Sequence, residues 1–179
     1  MIKKLPRQAF WINVYGYFFV AAAILSVAFI LLTVDDLSWL EVALVCGLAI
    51  LMAGLWMRFR PKVEHRTAAS SAEFIDQLRD LGKQYTLVTL ESDYCPLCMA
   101  TGDRITQLDG IENLQIRRLS IHDQPGKGIF QDIDGRATPT YVLYDEQGKV
   151  LQEWVMFLPI ERILYQVRQG QARQGRSAV

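Results

Sequence analysis

The chain has 179 residues, with 19 Lys or Arg balanced by 19 Asp or Glu, and half of it is hydrophobic. The neutral total averages two unlike parts: through Arg66 there are seven basic against four acidic residues, and from Thr67 onward twelve against fifteen. Neither part has the basic surface of a nucleic-acid binder, and three cysteines, Cys46, Cys95 and Cys98, are too few to frame a small disulfide-stapled secreted domain.

Phe10 to Leu32 carries no charge, and Leu37 to Met57 carries only Glu41. Each run is about the 20 residues that a helix needs to cross the hydrocarbon core, and neither shows the polar stripe of a helix half-buried in a soluble core. The first run is long for a signal-peptide core and no small-residue cleavage site follows it. The expectation is an N-terminal transmembrane hairpin over 1–60, with helices at about 10–32 and 37–57. Lys3, Lys4 and Arg7 precede it, Arg58, Arg60, Lys62 and Arg66 follow it, and the turn holds only Asp35 and Asp36. The positive-inside rule then predicts a two-helix, multi-pass cell-membrane protein with both termini and the soluble domain in the cytoplasm. Trp11, Tyr15, Trp39 and Trp56 fall near the helix ends, where amphipathic rings favour the interface. Ala22 and Ser26, with Ala49 and Ala53, are small enough to let the helices approach. Cys46 has no second thiol in the membrane with which to relay two electrons, so it is read as a small buried apolar residue.

Residues 61–71 are polar and aperiodic and read as a linker. Ser70 and Glu73 form a capping-box signature before Phe74, Ile75 and Leu78, predicting a helix from about Ala72 to Leu81. Tyr85 to Leu90 reads as a strand, Met99 to Leu108 as a helix with Gly102 as its weak point, Leu114 to Ile121 as a second strand, and Gly126 to Asp134 as a short helix. Thr140 to Tyr144 and Val150 to Phe157 flank a turn at Gly148 and read as a β-hairpin. Pro159 to Val167 closes the domain as an amphipathic helix, and 169–179, Gly- and Gln-rich, is expected to be a disordered tail. A βαβ unit followed by a hairpin implies an α/β domain over 72–168, a mixed sheet with helices on both faces.

Between the first strand and its helix lies "ESDYCPLCMATGD". Two cysteines at i and i+3 at a helix start can close a small disulfide, and the helix N-terminus favours thiolate at the first sulfur. Cys95 is therefore the candidate nucleophile. Cys98, one turn in, is the candidate resolving thiol that attacks a mixed disulfide at Cys95. Pro96 suits the first helical position, where an N–H is not needed. A zinc site would need four ligands, and only His65 and His122 remain as soluble candidates of the right type, so no metal is expected.

With "YTLVTLESDYCPLC" and, about forty residues on, "ATPTYVLYDEQGKV", the region resembles the thioredoxin fold. The resemblance implies that Pro139 is cis and packs beside the cysteine pair, that Thr138 pairs with the substrate chain, and that Tyr94 and Pro96 border the substrate. It implies no cofactor beyond the Cys95–Cys98 redox disulfide itself. The motif departs from the thioredoxin "WCGPC" at Tyr94 and Pro96-Leu97, and Thr89 stands where the family places a buried acid. Glu91 and Asp93 are near enough to substitute, although carboxylates are by base rate surface residues.

The implied activity is thiol–disulfide exchange by a membrane-anchored oxidoreductase that reduces protein disulfides, since the cytoplasm keeps thiols reduced. Its partners would be a protein with a disulfide or dithiol, an unidentified electron donor and the lipid bilayer, with no nucleic acid. Two alternatives stay open: a redox-inert thioredoxin-like assembly module of a membrane complex, and an inverted topology with the domain outside.

Overall fold

The computed structural model describes residues 7–34, 39–59, 62–64, 68–80 and 83–177, with side chains described at 14–30, 39, 42–59, 62–64, 68–80 and 83–169. Two helices lead the chain, α1 (Arg7–Val34) and α2 (Trp39–Phe59). One stretch among the described residues, Val42–Phe59, is long and apolar enough to cross a membrane, and none of it is buried in protein. In α1 the apolar stretch is Val14–Ile30, and Phe10–Leu32, expected as a second span, extends beyond the described side chains at both ends.

The two helices meet through a hydrogen bond from the Tyr17 hydroxyl to the Met52 carbonyl and flank an apolar groove of ≈ 240 Å³ lined in part by Ala21, Ala49 and Ala53. Ala49 and Ala53 lie where expected, but on α1 the small residue facing the groove is Ala21. Ala22 and Ser26 are exposed, and the Ser26 hydroxyl donates to Ala22's own carbonyl. Cys46, read as a small buried apolar residue, is exposed on α2, since among the described residues no further helix covers it.

The soluble region runs α3 (Ser71–Asp80), β1 (Tyr85–Glu91), α4 (Pro96–Ile105), a 3₁₀ turn (Thr106–Leu108), β2 (Leu114–Ser120), α5 (Gly126–Asp132), β3 (Thr140–Asp145), β4 (Val150–Val155) and α6 (Ile160–Ser177). The Ser70 hydroxyl accepts from the Glu73 N–H at 3.2 Å, and the Glu73 carboxylate reaches back to the Ala69 N–H at 2.8 Å. The capping box therefore starts α3 as read, its return arm reaching one residue further back. α4 begins three residues earlier than predicted, at Pro96, and continues through Gly102. At the C-terminus the backbone stays helical to Ser177, through most of the expected disordered tail. Gln, Arg and Ala are good helix formers, and their summed propensity carries the helix past Gly170 and Gly175.

The sheet is mixed, as predicted, in the order β2-β1-β3-β4. β1 runs parallel to β2, with Leu87 opposite Ile116, and antiparallel to β3, with Val88 opposite Val142. The expected linker contributes an addition to the sheet: Glu64 bridges in parallel to Leu119, its N–H donating to the Arg118 carbonyl at 2.6 Å, and its carboxylate forks onto Arg117. Side chains alternate across β1, so each face buries its own core. Val88 and Leu90 pack with Phe74, Leu78, Leu119 and Ile129 beneath α3 and α5. Leu87 packs with Ile105, Leu108, Tyr141, Ile163 and Val167 beneath α4 and α6. α5 sits hard against the end of β2, where a Cβ at Gly126 would lie 2.2 Å from the Ser120 carbonyl oxygen, and only glycine allows that approach.

Candidate active site

β1 ends at Glu91 in the middle of the sheet, and the loop Ser92–Cys95 carries the chain from the strand into α4. Cys95 is the N-cap of α4 in extended conformation, with Pro96 at the first helical position. The Cys98 N–H donates to Cys95 Sγ at 3.3 Å, so the sulfur takes the place of the capping oxygen that a helix start prefers. Both thiols are free and both are 0% exposed.

The two sulfurs are pushed in opposite directions. Cys95 is lowered from 9.0 to about 7, first by hydrogen bonding from the Cys98 side chain, against the opposing effect of burial, with further help from the Thr138 side chain and the N–H groups of Cys98 and Leu97. Cys98 is raised, first by burial, then by hydrogen bonding to Cys95 and by the negative charges of Cys95 and Glu91. Near neutrality the first sulfur is therefore favoured as thiolate and the second as thiol.

Thr138 and Pro139 lie alongside. Their peptide bond is cis, and the Thr138 carbonyl accepts from the Cys95 thiol at 3.5 Å. The segment joins β3 directly, with the Thr140 hydroxyl donating to the Ala137 carbonyl at 2.7 Å. Tyr94 and Pro96 flank Cys95, Tyr94 half-buried and Pro96 exposed. A second cis bond, Gln124–Pro125, has no counterpart in the sequence reading.

Glu91 corrects the expectation of a surface charge: it is 0% exposed. Its carboxylate accepts from Arg118 Nε at 3.0 Å and from Arg118's terminal nitrogen at 2.8 Å, and the Thr89 hydroxyl donates to it at 2.8 Å. Residues two apart on a strand share a face. Glu91 thus lies on the same face as Thr89, close enough to Cys98 for its charge to raise that thiol. Arg118 lies on β2 directly opposite Thr89, and that register supplies the partner that makes a buried carboxylate tolerable. Asp93 is only partly buried, and its carbonyl accepts from Trp56 Nε1 at 3.2 Å. On the same face, burial raises the Tyr141 phenol to about 12, and its hydroxyl donates to Thr101.

The remaining neighbours come from the N-terminal helices, which the sequence reading treated as an anchor only. Tyr15 stacks on Tyr94 at 5.8 Å, Trp56 lies nearly parallel to Tyr94 at 6.1 Å, and His122 meets both Tyr15 and Tyr94 at 5.6 Å. The Ser92 hydroxyl donates to the Val14 carbonyl at 2.8 Å and lies 3.0 Å from His122 Nε2. Since its one proton goes to Val14, the ring nitrogen is the donor in that contact. Tyr15 and Trp56, expected as rings at the membrane interface, pack on the loop Ser92–Cys95. Among the described residues no group of three or more His, Cys, Asp or Glu is arranged to hold a metal ion.

No protein-family model matches the chain, and a search of curated proteins found no match. Solved structures similar to it include spinach chloroplast thioredoxin f in its short form (13% identity, 63% of this chain and 95% of that chain, TM-score 0.47). They also include an oxidized-state thioredoxin from Arabidopsis thaliana (18%, 57% and 90%, 0.44) and a mutant thioredoxin from Halobacterium salinarum (19%, 47% and 70%, 0.40). At such scores the likeness carries no argument by itself.

Proposed function

We propose that the chain is a membrane-anchored thiol–disulfide oxidoreductase that reduces protein disulfides. The observation that carries this reading is the geometry at the head of α4: Cys95 caps the helix with its Sγ 3.3 Å from the Cys98 N–H, and the Thr138 carbonyl lies 3.5 Å from the same sulfur. In the reaction, the Cys95 thiolate attacks one sulfur of a substrate disulfide. A Cys95–substrate bond forms, the substrate's own S–S bond breaks, and one substrate thiolate leaves. Cys98 then gives up its proton and attacks Cys95 Sγ, forming the Cys95–Cys98 disulfide and expelling the second thiolate. Two electrons pass to the substrate, two protons follow, and a separate thiol donor resets the pair. Thr138, beside Cys95 at the start of β3, is the residue for pairing with the substrate chain, and Tyr94 and Pro96 border the entry.

The anchoring is proposed on both helices, α1 and α2 forming a two-span hairpin, with the domain on the cytoplasmic side because the basic residues flank the hairpin ends and not its turn. A protein substrate held in the same membrane meets the thiol at raised effective concentration. The second reading, a redox-inert assembly module, has an observation behind it in the complete burial of Cys95.

Trapping separates the two. A Cys98→Ser protein is expected to accumulate mixed disulfides through Cys95 and a Cys95→Ser protein to lose disulfide reduction. Absence of adducts, with reduction of an insulin-type substrate unchanged in Cys95→Ser, would favour the scaffold. Topology is read at the exposed β3–β4 turn, where Glu146→Cys should resist a membrane-impermeant thiol reagent in intact cells; labelling there would place the domain outside.

A further inference from the structure

α1 is kinked at Tyr15, whose backbone (φ −115°, ψ 20°) leaves helical geometry inside an otherwise continuous helix. The kink has an identifiable cause: the Ser92 side chain hydrogen-bonds the Val14 carbonyl, the kind of intrusion on a helix's own bonding that bends it. On the far side of the kink the Tyr17 N–H donates to the Tyr94 carbonyl at 3.1 Å. From α2, Trp56 Nε1 reaches the Asp93 carbonyl at 3.2 Å. Three consecutive residues of the catalytic loop, Ser92, Asp93 and Tyr94, are therefore each bonded to the hairpin. Gly16 completes the contact: it is buried, and a Cβ there would lie 3.0 Å from Cδ and 3.2 Å from Cγ of Pro96. Glycine is a poor helix former beside alanine, so its place here serves the close approach.

We propose that Val14–Tyr17 and Trp56 are a cap on the active site, and that access to the Cys95 thiol requires this cap to part from Ser92–Pro96. The proposal deepens the exchange reading and rests on it for its biological sense. It also explains why a thiol tuned for reaction is 0% exposed. A nucleophile that must bond to a sulfur of another protein cannot do so from a closed site, and local opening of a few weak contacts is the usual route to exposure. The hairpin then controls exchange as well as locating it, because whatever holds α1 and α2 off the loop makes Cys95 available.

The test is the alkylation rate of Cys95 in the full-length, reduced protein in micelles, on a Cys46→Ser background, with the site of modification read by peptide mass. Per thiolate, each rate divided by its own thiolate fraction from a pH profile, the closed site should react at least about tenfold more slowly than the urea-unfolded chain. Ser92→Ala and Trp56→Phe each remove one bond of the cap and should speed alkylation about fivefold, the order expected for one hydrogen bond. Gly16→Leu should do at least as much by wedging α1 from Pro96. Gly16→Ala favours the helix itself, so it serves as the variant that keeps the fold, and should accelerate more modestly. A wild-type thiolate as reactive as in the unfolded chain would overturn the cap, as would folded variants that all react at the wild-type rate. Disulfide reduction measured in parallel distinguishes the two readings. Faster alkylation without reduction upholds the cap while the exchange reading fails, and reduction with unaltered alkylation rejects the cap while exchange stands.

Discussion

Replacing either member of the Glu91–Arg118 pair should destabilise the domain, and unequally. Glu91 is 0% exposed, whereas the Arg118 side chain is 19% exposed. Removing one partner of a buried pair leaves an uncompensated charge, at a cost of about 3–5 kcal/mol. Arg118→Met strands the carboxylate with only the Thr89 hydroxyl beside it and belongs at the upper end of that range. Glu91→Leu strands a guanidinium with an edge in water and belongs at the lower end. With a urea dependence of about 2 kcal/mol per molar, the unfolding midpoint falls by about 1.5 M for Glu91→Leu and about 2.5 M for Arg118→Met. The double variant Glu91→Leu/Arg118→Met should recover most of the loss, since apolar replacements of similar volume remove both desolvation costs together. Equilibrium urea unfolding of the full chain, followed by near-UV circular dichroism, measures all three. A smaller loss for Arg118→Met than for Glu91→Leu, or a double variant as unstable as the worse single one, would refute the reasoning.

The pH dependence of alkylation reports the sulfur pair directly. With Cys95 at about 7 in place of 9.0, about half of it is thiolate at pH 7, against about one part in a hundred for an unshifted thiol, so the rate should rise with pH and level off above about 8. Cys98→Ala removes the largest stabiliser of that thiolate and should move the midpoint upward, Cys98→Ser less so; an unmoved midpoint in Cys98→Ala would reject the assignment. Gly126→Ala drives a methyl into the Ser120 carbonyl, a backbone atom that cannot turn aside, and should cost about 1–3 kcal/mol in urea unfolding. Ser70→Ala removes the N-cap of α3 and should cost about 1 kcal/mol in the same assay.

Element types in the soluble region were legible because alternation and helical spacing act locally. Tyr85–Leu90 and Thr140–Tyr144 could be read as strands without knowing their neighbours, and a cysteine at a strand-to-helix junction carries its chemistry with it. What escaped the sequence depends on register. Glu91 reads as a surface charge until β2 is paired with β1, which puts Arg118 opposite Thr89 and supplies the counter-ion. The signal was present as an arginine among the apolar residues of a strand, but a strand's pattern does not name its partner. Residues 62–64 escaped for the same reason, since a single bridge from Glu64 to Leu119 leaves no periodicity. Gly16, Tyr15 and Trp56 escaped because, in a run that reads as membrane, glycine and interfacial aromatics are already accounted for, and nothing local reveals that a distant loop has claimed them.

That shared claim on α1 changes where a membrane boundary can fall. Val14 and Gly16 are enclosed, while Phe18, Phe19 and Val20 are about half exposed, so the exposed apolar part of α1 begins at Phe18. From there to Val34 a helix rises about 25 Å, just under the hydrocarbon thickness of about 30 Å. Trp56, at the matching end of α2, contacts the loop before α4. If the proposed hairpin lies in the bilayer, Ser92–Pro96 sit at the headgroup level, and the substrate disulfide of the proposed reaction would approach along the membrane surface. Nitroxide accessibility tests this. A label on Cys46, exposed on α2, should be open to oxygen and closed to a water-soluble nickel reagent, and a label at Glu146→Cys should show the reverse. A Cys46 label as open to nickel as the one at Glu146 would take the hairpin out of the bilayer, and the orientation of the active site with it.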